Sequence, residues 1–448
     1  MKTKRRLFLP VLISILLIAA LSYGGWLWYD SHVDRSGWVE KDGIRFYQDF
    51  HADPVSGWLE LDGGRYYFHD DGTPSLGWQH IGGIPYYFDE NGIMVTGWQE
   101  LDGQRYYFGY NGTMVENWLW LDEGIYFLRD GVMVTGWQEI EGQRYYFDEN
   151  GIMALGFADL EGSRYYFGSD GAMVTGSADI DGQQYRFLED GTMFTGWQDT
   201  DEGRCYYLPD GPMAFGWTEI EDCLYYFAED GIMRTGWLQL GEYRYYLQED
   251  GAASVGPTVI GGETHYFTPK GIEVVLVNAL NPIPSYYEIE LKNVVDYHDV
   301  DIRCYDALVQ MLADCNAAGI EYVFNSAYRT MEEQTEILEL RTLEHMKTYD
   351  LDFEEAREKA LETVAIPGTS EHQMGLAVDL LGDEATAWLQ EHCWEYGFIL
   401  RYPLDKKAVT GIINEPWHYR YVGTEVSLDM KDSGLCLEEY LGADPVEG

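Results

Sequence analysis

Apolar and aromatic positions recur along more than half of the chain with a period of 20 residues. In one unit, apolar and polar residues alternate over 96–101, which predicts a short strand, and Asp102-Gly103 supplies the positive-φ residues of a tight hairpin turn. Residues 105–108 predict the return strand, with Tyr106 and Phe108 on one face. A lone two-stranded hairpin is marginal in water, so each hairpin must bury its aromatic face against its neighbours.

A Gly followed by an aromatic residue marks each unit, and the units extend over residues 37–273. The spacing is 20 residues, except for one step of 19 after Trp118. Some units are degenerate, with Ser177 and Pro257 in the aromatic position. A fixed short period of this kind predicts a β-hairpin solenoid of about a dozen stacked repeats rather than a globular domain.

The period stops after Gly271, and residues 275–448 predict one α+β domain of ordinary size. The predicted elements are a helix over 301–318, a strand over 321–324, a helix over 331–348, and strands around 376–379 and 417–421. The chain is therefore expected to be multidomain, with an N-terminal hairpin solenoid followed by an α+β domain.

The first 30 residues have the pattern of a targeting segment. Four basic residues within the first six positions precede an apolar run over 7–21. Apolar character resumes over 24–28, which gives roughly the 20 residues needed to span a bilayer, whereas small residues near Ala19 and Ala20 form a weak cleavage site. We expect export, with the segment either retained as a membrane anchor or removed as a signal peptide.

The charge of the chain excludes one class of partner. With 77 acidic and 29 basic residues, the chain would repel phosphate along most of its surface, so no nucleic-acid partner is expected.

The six cysteines show no zinc-finger or CxxC spacing. In an exported chain, Cys393 with Cys436 and Cys205 with Cys223 are the economical disulfides, and the alternative is that all six are reduced packing residues.

Three stretches of the C-terminal part concentrate chemically competent side chains: residues 370–379, residues 415–418, and residues 326–329. Two imidazoles and one carboxylate are a suitable ligand set for catalytic zinc and leave the fourth position to water. A carboxylate that is not a ligand is then needed as the base. Glu415, three residues before His418, could reach that water.

The combination SxHxxGxAxD, ExWH and an upstream YR resembles the zinc D-alanyl-D-alanine carboxypeptidases of the vancomycin-resistance (VanY) type. The resemblance implies an α+β zinc peptidase domain in which His372, Asp379 and His418 bind one zinc ion. It also implies that Glu415 is the general base and that Arg329 holds the substrate carbonyl or terminal carboxylate. The further pocket residues that it implies are Ser370, Gln334, Tyr402 and Trp417.

The activity implied by this resemblance is removal of the terminal D-Ala from peptidoglycan stem peptides. L,D-carboxypeptidase or endopeptidase action on the same fold is the main rival, because stereochemical preference depends on pocket shape, which motifs do not show. A wall-binding or adhesive surface protein, in which the repeats are the main function, is the alternative of another class.

The repeat motif (GW, DG, YYF, DG or NG, M, TGW) resembles the cell-wall-binding repeats, a family that includes choline-binding and glucan-binding modules. The resemblance implies ligand sites between consecutive hairpins, at Trp58, Trp78, Trp98, Trp137, Trp197, Trp217 and Trp237. Choline-binding members usually carry another Trp just before the Tyr-Tyr pair. At that position this chain has Arg65, Arg105, Arg144, Arg164 and Arg204.

A cation in the wall of an aromatic cage would repel choline. The repeats are therefore expected to bind a cell-wall glycan or a teichoic-acid-type polymer, or to serve as a spacer whose aromatic residues are only core. Either way, the protein is expected outside the membrane, in association with the cell wall.

Overall fold

The computed structural model describes residues 33–446. The predicted targeting segment, residues 1–30, lies outside the described residues. Within residues 33–446, no helix has both the length and the apolar character needed to cross a membrane. The chain divides into two compact units, Met1–Phe194 and Thr195–Gly448. The boundary that the sequence suggested, near residue 274, falls inside the second unit.

The first unit consists, over its described residues, of eight hairpins. Their strands are β1 (Gly37–Lys41) with β2 (Ile44–Gln48), β3 (Gly57–Leu61) with β4 (Gly64–Phe68), β5 (Gly77–Ile81) with β6 (Ile84–Phe88), β7 (Gly97–Leu101) with β8 (Gln104–Phe108), β9 (Asn117–Leu121) with β10 (Gly124–Arg129), β12 (Gly136–Ile140) with β13 (Gln143–Phe147), β14 (Gly156–Leu160) with β15 (Ser163–Phe167), and β16 (Gly176–Ile180) with β17 (Gln183–Phe187). The 19-residue step contains the extra strand β11 (Val132–Met133), which joins β7, β8, β9 and β10 in a five-stranded sheet.

The second unit begins with four more hairpins of the same kind. Their strands are β18 (Gly196–Asp199) with β19 (Arg204–Tyr207), β20 (Gly216–Ile220) with β21 (Cys223–Phe227), β22 (Gly236–Leu240) with β23 (Tyr243–Leu247), and β24 (Gly256–Ile260) with β25 (Glu263–Phe267). The described residues thus contain about a dozen repeats, as the 20-residue period predicted.

The hairpins form because the turn residues and the alternating aromatic residues of each unit favour the same structure. Asp102 and Gly103 adopt φ values of 53° and 76° and close the turn between β7 and β8. Tyr106 and Phe108 both contact Trp78 of the preceding hairpin, with ring centroids 5.1 and 5.7 Å apart. These two residues therefore share a face, as predicted, and the aromatic core of the array lies between consecutive hairpins.

The connectors between hairpins also interlock. The amide of Met173 donates to the carbonyl of Arg144, two hairpins back along the chain. The same Met173 lies against Gly191 of the next connector, where a Cβ would approach the Met sulfur to 2.2 Å. Gly191 has a φ of 89°, so glycine is required both by backbone conformation and by the close approach.

The rest of the second unit is an α+β domain. Its elements are β26 (Leu291–Val295), β27 (His298–Asp301), α1 (Ile302–Ala317), β28 (Val323–Ser326), α2 (Met331–Tyr349), α3 (Phe353–Leu361), β29 (Ala377–Leu381), α4 (Asp383–His392), β30 (Phe398–Leu400), α5 (Lys407–Thr410), β31 (His418–Tyr421), α6 (Thr424–Lys431) and α7 (Leu437–Tyr440). Two single-turn 3₁₀ helices cover Glu371–Met374 and Cys393–Tyr396. The fold class predicted from the sequence, a hairpin-repeat region followed by an α+β domain, is confirmed.

The central sheet of this domain is antiparallel, in the order β28-β29-β31-β30. Helix α1 covers one face through Leu308, Met311 and Cys315, all with no exposed surface. Asp301 caps its first turn by accepting a hydrogen bond from the Arg303 amide. Helix α1 therefore covers one side of the sheet, and the polar groups described below lie on β28, β29 and β31.

The last hairpins pack directly against this domain within the second unit. One apolar cluster joins Tyr245 and Tyr266 of the hairpins to α6 and α7. The other buried members of the cluster are Ile272, Val274, Leu276, Ile399, Val426, Met430, Leu437, Tyr440 and Leu441. Polar contacts at its rim include Lys270 with Asp429 at 2.9 Å. The end of the repeat region is thus structurally part of the domain that follows.

The disulfides considered from the sequence do not form. Cys223, Cys393 and Cys436 are free thiols, which leaves neither Cys393 with Cys436 nor Cys205 with Cys223 bridged. Cys393 and Cys436 are buried and serve as packing residues.

Candidate active site

The polar groups of the site lie in one row across the central sheet. Asp379 on β29 is the register partner of Ser326 on β28 and of His418 on β31. Side chains at paired positions of adjacent strands point to the same face. The sheet register therefore brings residues that are 39 positions apart in sequence into contact without any special loop.

His372 joins this row from the single-turn helix Glu371–Met374. Its Nδ1 lies 2.7 Å from the carbonyl oxygen of Ala327 and donates a hydrogen bond to it, because a carbonyl can only accept. The Nε2 atom of the same ring is left with a lone pair and lies 3.4 Å from Asp379 Oδ1. One hydrogen bond thus fixes both the orientation and the tautomer of the ring.

The three predicted metal ligands converge on one point. Asp379 Oδ1 lies 3.4 Å from His372 Nε2 and 3.3 Å from His418 Nδ1. One ligand atom from each of the three residues lies within 4.8 Å of the other two, and all three residues are buried. Asp379 Oδ1 has no hydrogen-bond partner among the described residues. A buried carboxylate oxygen flanked by two ring nitrogens is a donor set that suits a divalent cation such as zinc.

The protonation of the two rings differs. Burial lowers the pKa of His372 to about 4, so this imidazole is neutral at physiological pH. Burial also opposes the charge of His418, but the carboxylates of Asp379 and Glu371 outweigh it and raise its pKa to about 9. Two acidic groups therefore hold a positive charge on His418, and a divalent cation would compete with that proton for the same ring.

Glu415 stands beside the cluster without belonging to it. It lies in the loop before β31, where its amide donates to Tyr402 and its carbonyl accepts from the His418 amide. Its Oε2 is 3.6 Å from His418 Nδ1. Burial raises the pKa of Glu415 to about 7, so this carboxyl can take up and release a proton near neutral pH.

Arg329 follows β28, and its guanidinium contacts Ser326 and Asp379 of the row. Its Nε donates to Ser326 Oγ at 2.9 Å, its Nη1 to Gln334 Oε1 at 3.2 Å and its Nη2 to Asp379 Oδ2 at 3.2 Å. These bonds leave two of the five guanidinium N–H donors without a protein partner in this set. The fork is thus held in place with donors still available to an anion or a carbonyl.

The other predicted pocket residues occupy two kinds of position. Ser370, Tyr402 and Trp417 line a cavity of about 60 Å³ together with the three predicted metal ligands, Glu415 and Arg329. Gln334 does not line it; it is fully buried and bonds Arg329 and the carbonyl of Ala365. Gln334 therefore contacts the site through Arg329.

Several residues at the site were not singled out from the sequence. Val364, Ala365 and Ile412 line the cavity from loops that no motif marks. Glu371 lies inside the SxHxxGxAxD motif at an unspecified position, and it is completely buried beside His418. The only sequence signal for Glu371 is that it is a charged residue next to the predicted ligand His372.

The Trp residues predicted as wall-ligand sites all lie at contacts between consecutive hairpins. The ring-centroid distances to the next hairpin are 5.1 Å for Trp58–Tyr86, 5.1 Å for Trp78–Tyr106, 5.0 Å for Trp98–Tyr126, 5.0 Å for Trp137–Tyr165, 5.0 Å for Trp197–Tyr225, 4.7 Å for Trp217–Tyr245 and 5.0 Å for Trp237–His265. These rings are therefore structural, whatever else they bind.

Arginine covers several of these rings. The Arg65 guanidinium lies 4.4 Å from the centroid of Trp58, and that of Arg204 lies 4.2 Å from the centroid of Trp197. The same arrangement occurs at 4.8 Å for Arg105 over Trp98, 4.5 Å for Arg144 over Trp137 and 3.5 Å for Arg244 over Trp237. The position facing the Trp is thus already filled by a cation in these hairpins.

Family profiles match both parts of the chain. Residues 297–424 match the VanY family, described as D-alanyl-D-alanine carboxypeptidase. A choline-binding repeat matches residues 76–118, 95–134 and 122–155. A cell wall binding repeat matches residues 156–173, 216–233 and 235–253.

Individual proteins match the C-terminal domain. A D-alanyl-D-alanine carboxypeptidase of Enterococcus faecalis is 43% identical over 178 residues, covering 38% of this chain and 66% of that protein. The bifunctional D-Ala-D-Ala dipeptidase and carboxypeptidase VanXYC of Enterococcus gallinarum is 40% identical over 183 residues, covering 37% of this chain and 91% of that protein. A crystal structure of the vancomycin-resistance D,D-pentapeptidase VanY with Zn(II) is 44% identical, covering 37% of this chain and 97% of that chain, with a TM-score of 0.36.

The chain spans 66%, 66% and 40% of the length of the first three curated relatives it matches. VanXYC, in contrast, is matched over 91% of its length at 40% identity. Through its C-terminal domain, and with cell-wall-binding repeats preceding that domain, the chain belongs to the VanY family of D-alanyl-D-alanine carboxypeptidases.

Proposed function

We propose that the C-terminal domain is a zinc-dependent carboxypeptidase that removes the terminal D-Ala from peptidoglycan stem peptides. One observation carries the proposal: His372, Asp379 and His418 share one cation-sized position next to Glu415 and Arg329 in a single cavity. A cation position, a proton acceptor and a fixed guanidinium are together the parts that hydrolysis of a C-terminal peptide bond requires.

His372 Nε2, Asp379 Oδ1 and His418 Nδ1 would hold one zinc ion. The fit rests on the buried Asp379 oxygen that lacks a hydrogen-bond partner and on the neutral nitrogen that His372 presents. When bound, zinc supplies a Lewis acid that makes a water molecule more acidic and polarises the scissile carbonyl.

Glu415 would act as the proton carrier. Its carboxylate lies at the cavity, next to His418 but not within the ligand set, so it remains available to accept a proton from the attacking water. Because burial raises the pKa of Glu415 to about 7, the same group can return that proton to the departing amine.

Arg329 would bind the C-terminal end of the substrate. Its guanidinium is anchored by Ser326, Gln334 and Asp379 and still presents donors to the cavity. A planar fork of this kind recognises the carboxylate of a terminal D-Ala or stabilises charge on the carbonyl oxygen. Ser370, Tyr402 and Trp417 complete the wall around the bound peptide end.

Mass spectrometry of a stem pentapeptide ending in D-Ala-D-Ala, incubated with the purified full-length protein, tests this proposal. We expect loss of one D-Ala, and no product from the Glu415→Gln variant under the same conditions. Cleavage of tetrapeptides ending in a single D-Ala, without cleavage of the pentapeptide, would contradict it in favour of an L,D-carboxypeptidase. Cleavage at an internal bond would contradict it in favour of an endopeptidase.

We further propose that the repeats hold the exported protein at the cell wall by binding a glycan or a teichoic-acid-type polymer. Where Arg covers a Trp, the hairpin presents a guanidinium rather than an open aromatic cage. Such a surface favours phosphate, carboxylate or sugar hydroxyl groups and disfavours choline. The N-terminal segment would add attachment to the membrane.

Co-sedimentation with isolated cell walls tests the role of the repeats. We expect the full-length protein to sediment with the walls, free choline not to release it, and combined replacement of Arg65, Arg105 and Arg144 by Gln to weaken retention. Combined replacement of Arg341, Lys347 and Arg357, outside the repeats, by Gln is the matched control, because it also removes three positive charges. Release by choline, or unchanged retention in the triple variant, would contradict the proposal.

A further inference from the structure

We propose that Glu371 is a positioning residue for the metal site. Its carboxylate would hold the Nε2 edge of His418, so that the Nδ1 atom of that ring is presented to the cation. A chain of buried ions would in turn fix Glu371 against the segment that leaves the last repeat. This inference rests on the proposed zinc site and adds to it a residue outside the ligand set.

The two oxygens of Glu371 have different surroundings. Arg401 Nε donates a hydrogen bond to Oε1 at 2.7 Å, and Arg420 Nη1 forms an ion pair with the same oxygen at 2.9 Å. Oε2 makes no hydrogen bond to either guanidinium and lies 3.5 Å from His418 Nε2. The side chain of Glu371 has no exposed surface, so solvent does not compete with these neighbours for its carboxylate.

Glu371 Oε2 and His418 Nε2 are each buried, and neither makes a hydrogen bond elsewhere among the described residues. Once a cation displaces the second proton of His418, the ring has one N–H, and placing it on Nε2 gives both atoms a partner after a shift of a few tenths of an ångström. The lone pair then resides on Nδ1, which faces Asp379 Oδ1 at 3.3 Å. The carboxylate thus selects the tautomer that a metal requires.

The two histidines of the site consequently present different ring nitrogens to the cation position. His372 donates from Nδ1 to the Ala327 carbonyl and presents Nε2. His418 donates from Nε2 towards Glu371 and presents Nδ1. The first ring is oriented by the backbone, whereas the second depends on a charged side chain and on whatever holds that side chain.

A second carboxylate anchors the guanidinium that holds Glu371. Arg401 donates two hydrogen bonds to Glu438, at 2.8 and 2.5 Å, and the same carboxylate accepts from Asn278 Nδ2 at 3.0 Å. Arg420 reaches the same connecting segment by donating from Nη2 to the carbonyl of Val275 at 2.8 Å. Val275 and Asn278 directly follow the last repeat, so the network extends from the repeat junction to the metal site.

The network is balanced in charge, with Glu371 and Glu438 set against Arg401 and Arg420. All four side chains are almost completely buried, with at most 1% of each exposed. Removing one charge from such a set leaves an uncompensated charge in the interior, whereas a surface ion pair would adjust to solvent. The carboxylate of Glu371 is therefore positioned by electrostatics as well as by packing.

Zinc affinity of the full-length protein, measured by competition with a chromophoric chelator, tests the proposal. We expect Glu371→Gln to bind zinc about 10- to 100-fold more weakly than the wild type. Glu438→Gln should weaken binding to a smaller extent, because Glu371 itself remains. Glu439→Gln is the matched control: it removes a neighbouring carboxylate that pairs with the half-buried Lys406, and its zinc affinity should equal that of the wild type.

Unchanged zinc affinity in Glu371→Gln would overturn the positioning role while leaving the proposed metal site intact. A wild-type protein that binds no zinc at His372, Asp379 and His418 would instead overturn the proposed site and the inference together.

A second measurement uses the wild-type protein and does not depend on how a variant folds. In the zinc-loaded protein labelled with ¹⁵N-histidine, we expect the His418 spectrum to show a protonated Nε2 and a metal-bound Nδ1. The signal is assigned by its absence from the His418→Gln variant. A protonated Nδ1 with a metal-bound Nε2 would overturn the proposal.

Discussion

Arg329 connects three parts of the site through a single side chain, because its guanidinium bonds Ser326, Gln334 and Asp379. Lys has one charged nitrogen and cannot make these bonds and bind a substrate carboxylate together. We therefore expect Arg329→Lys to lower kcat/KM for a D-Ala-D-Ala peptide by about 10- to 100-fold, since one charge-assisted hydrogen bond contributes about 1.5–3 kcal/mol. Steady-state kinetics with measured zinc content checks this.

Arg341→Lys is the control for that measurement, because Arg341 is half-exposed, pairs with Glu344 in a surface contact of 3.4 Å and does not line the cavity, and because Lys keeps its positive charge. We expect its kcat/KM to equal that of the wild type. Wild-type kinetics in Arg329→Lys would contradict a role of Arg329 in substrate binding.

The thiols give a second prediction at this scale. Burial raises the pKa values of Cys304 and Cys393 to about 12, whereas Cys223 is exposed. At pH 8 only about one in ten thousand of a group with such a pKa is ionised, and the thiolate is the reactive form. We expect iodoacetamide at pH 8 to label Cys223 in the native protein and to label Cys304 and Cys393 only after denaturation, as read by peptide mass spectrometry. Equal labelling of all three in the native protein would contradict the structure.

The sequence was sufficient to predict that His372, Asp379 and His418 lie together, because they occur in short stretches whose order and spacing resemble those of a known family. Glu371 shows the opposite case. Its partners Arg401 and, through Arg401, Glu438 lie 30 and 67 positions away, in stretches that carry no motif. A network whose members are defined only by burial and mutual charge has no local signature, so only the folded chain identifies it.

At the scale of elements, predictions succeeded where periodicity and capping agreed. Helices predicted over 301–318 and 331–348 occur as α1 and α2, and α2 begins with a capping box between Thr330 and Glu333. The strand predicted over 321–324 begins two residues later, at Val323. Its partner β29 ends at Leu381, because Gly382 turns the chain into α4, so residues 321 and 322 have no strand to pair with.

Short elements were missed because their local signals are weak. Strand β30 has only three residues, and its pairing with β31 defines it as a strand. Helix α3 has nine residues, and its surface is mostly charged. The hairpin β26–β27 contains a register shift that interrupts its alternation. In each case tertiary contacts decide the structure, and pattern alone does not.

The repeat connectors give a prediction at the element scale. Gly171 has a φ of 79°, and a Cβ there would lie 2.2 Å from the sulfur of Met153 in the preceding connector. We expect Gly171→Ala to destabilise the repeats by about 2–4 kcal/mol, combining the left-handed backbone cost with overpacking. Chemical denaturation followed by Trp fluorescence measures the change.

Gly162→Ala is the matched control, because Gly162 has a similar φ of 84° and nothing within 4 Å of its added Cβ. We expect it to lose only the backbone contribution, about 1–2 kcal/mol. Equal losses in the two variants would show that the Met–Gly contact contributes nothing to the stability of the array.

At the scale of the whole molecule, the second unit unites the last four hairpins with the peptidase domain. The apolar cluster between them buries Tyr245 and Tyr266 against α6 and α7. We expect a fragment of residues 275–448 to melt at a lower temperature than a fragment of residues 195–448, because each large apolar side chain in that cluster contributes about 1.5–3 kcal/mol. Scanning calorimetry of the two fragments and the full chain measures this.

The longer fragment should reproduce the peptidase transition of the full-length protein. Equal melting temperatures for the two fragments would mean that the domain is independent of the hairpins packed on it. Val275 and Asn278, where the ion network ends, lie in the segment that connects the hairpins to the domain. That outcome would therefore also weaken the argument that this segment helps to position the network.

Metal content and activity measured on one preparation test the central claim most directly. Elemental analysis of the full-length protein should give about one zinc per chain, which a chelator removes together with D-Ala release and which added zinc restores. Asp379→Asn should lose both the zinc and the activity. Release of D-Ala by a fully metal-stripped protein, or a full complement of zinc in Asp379→Asn, would contradict the account.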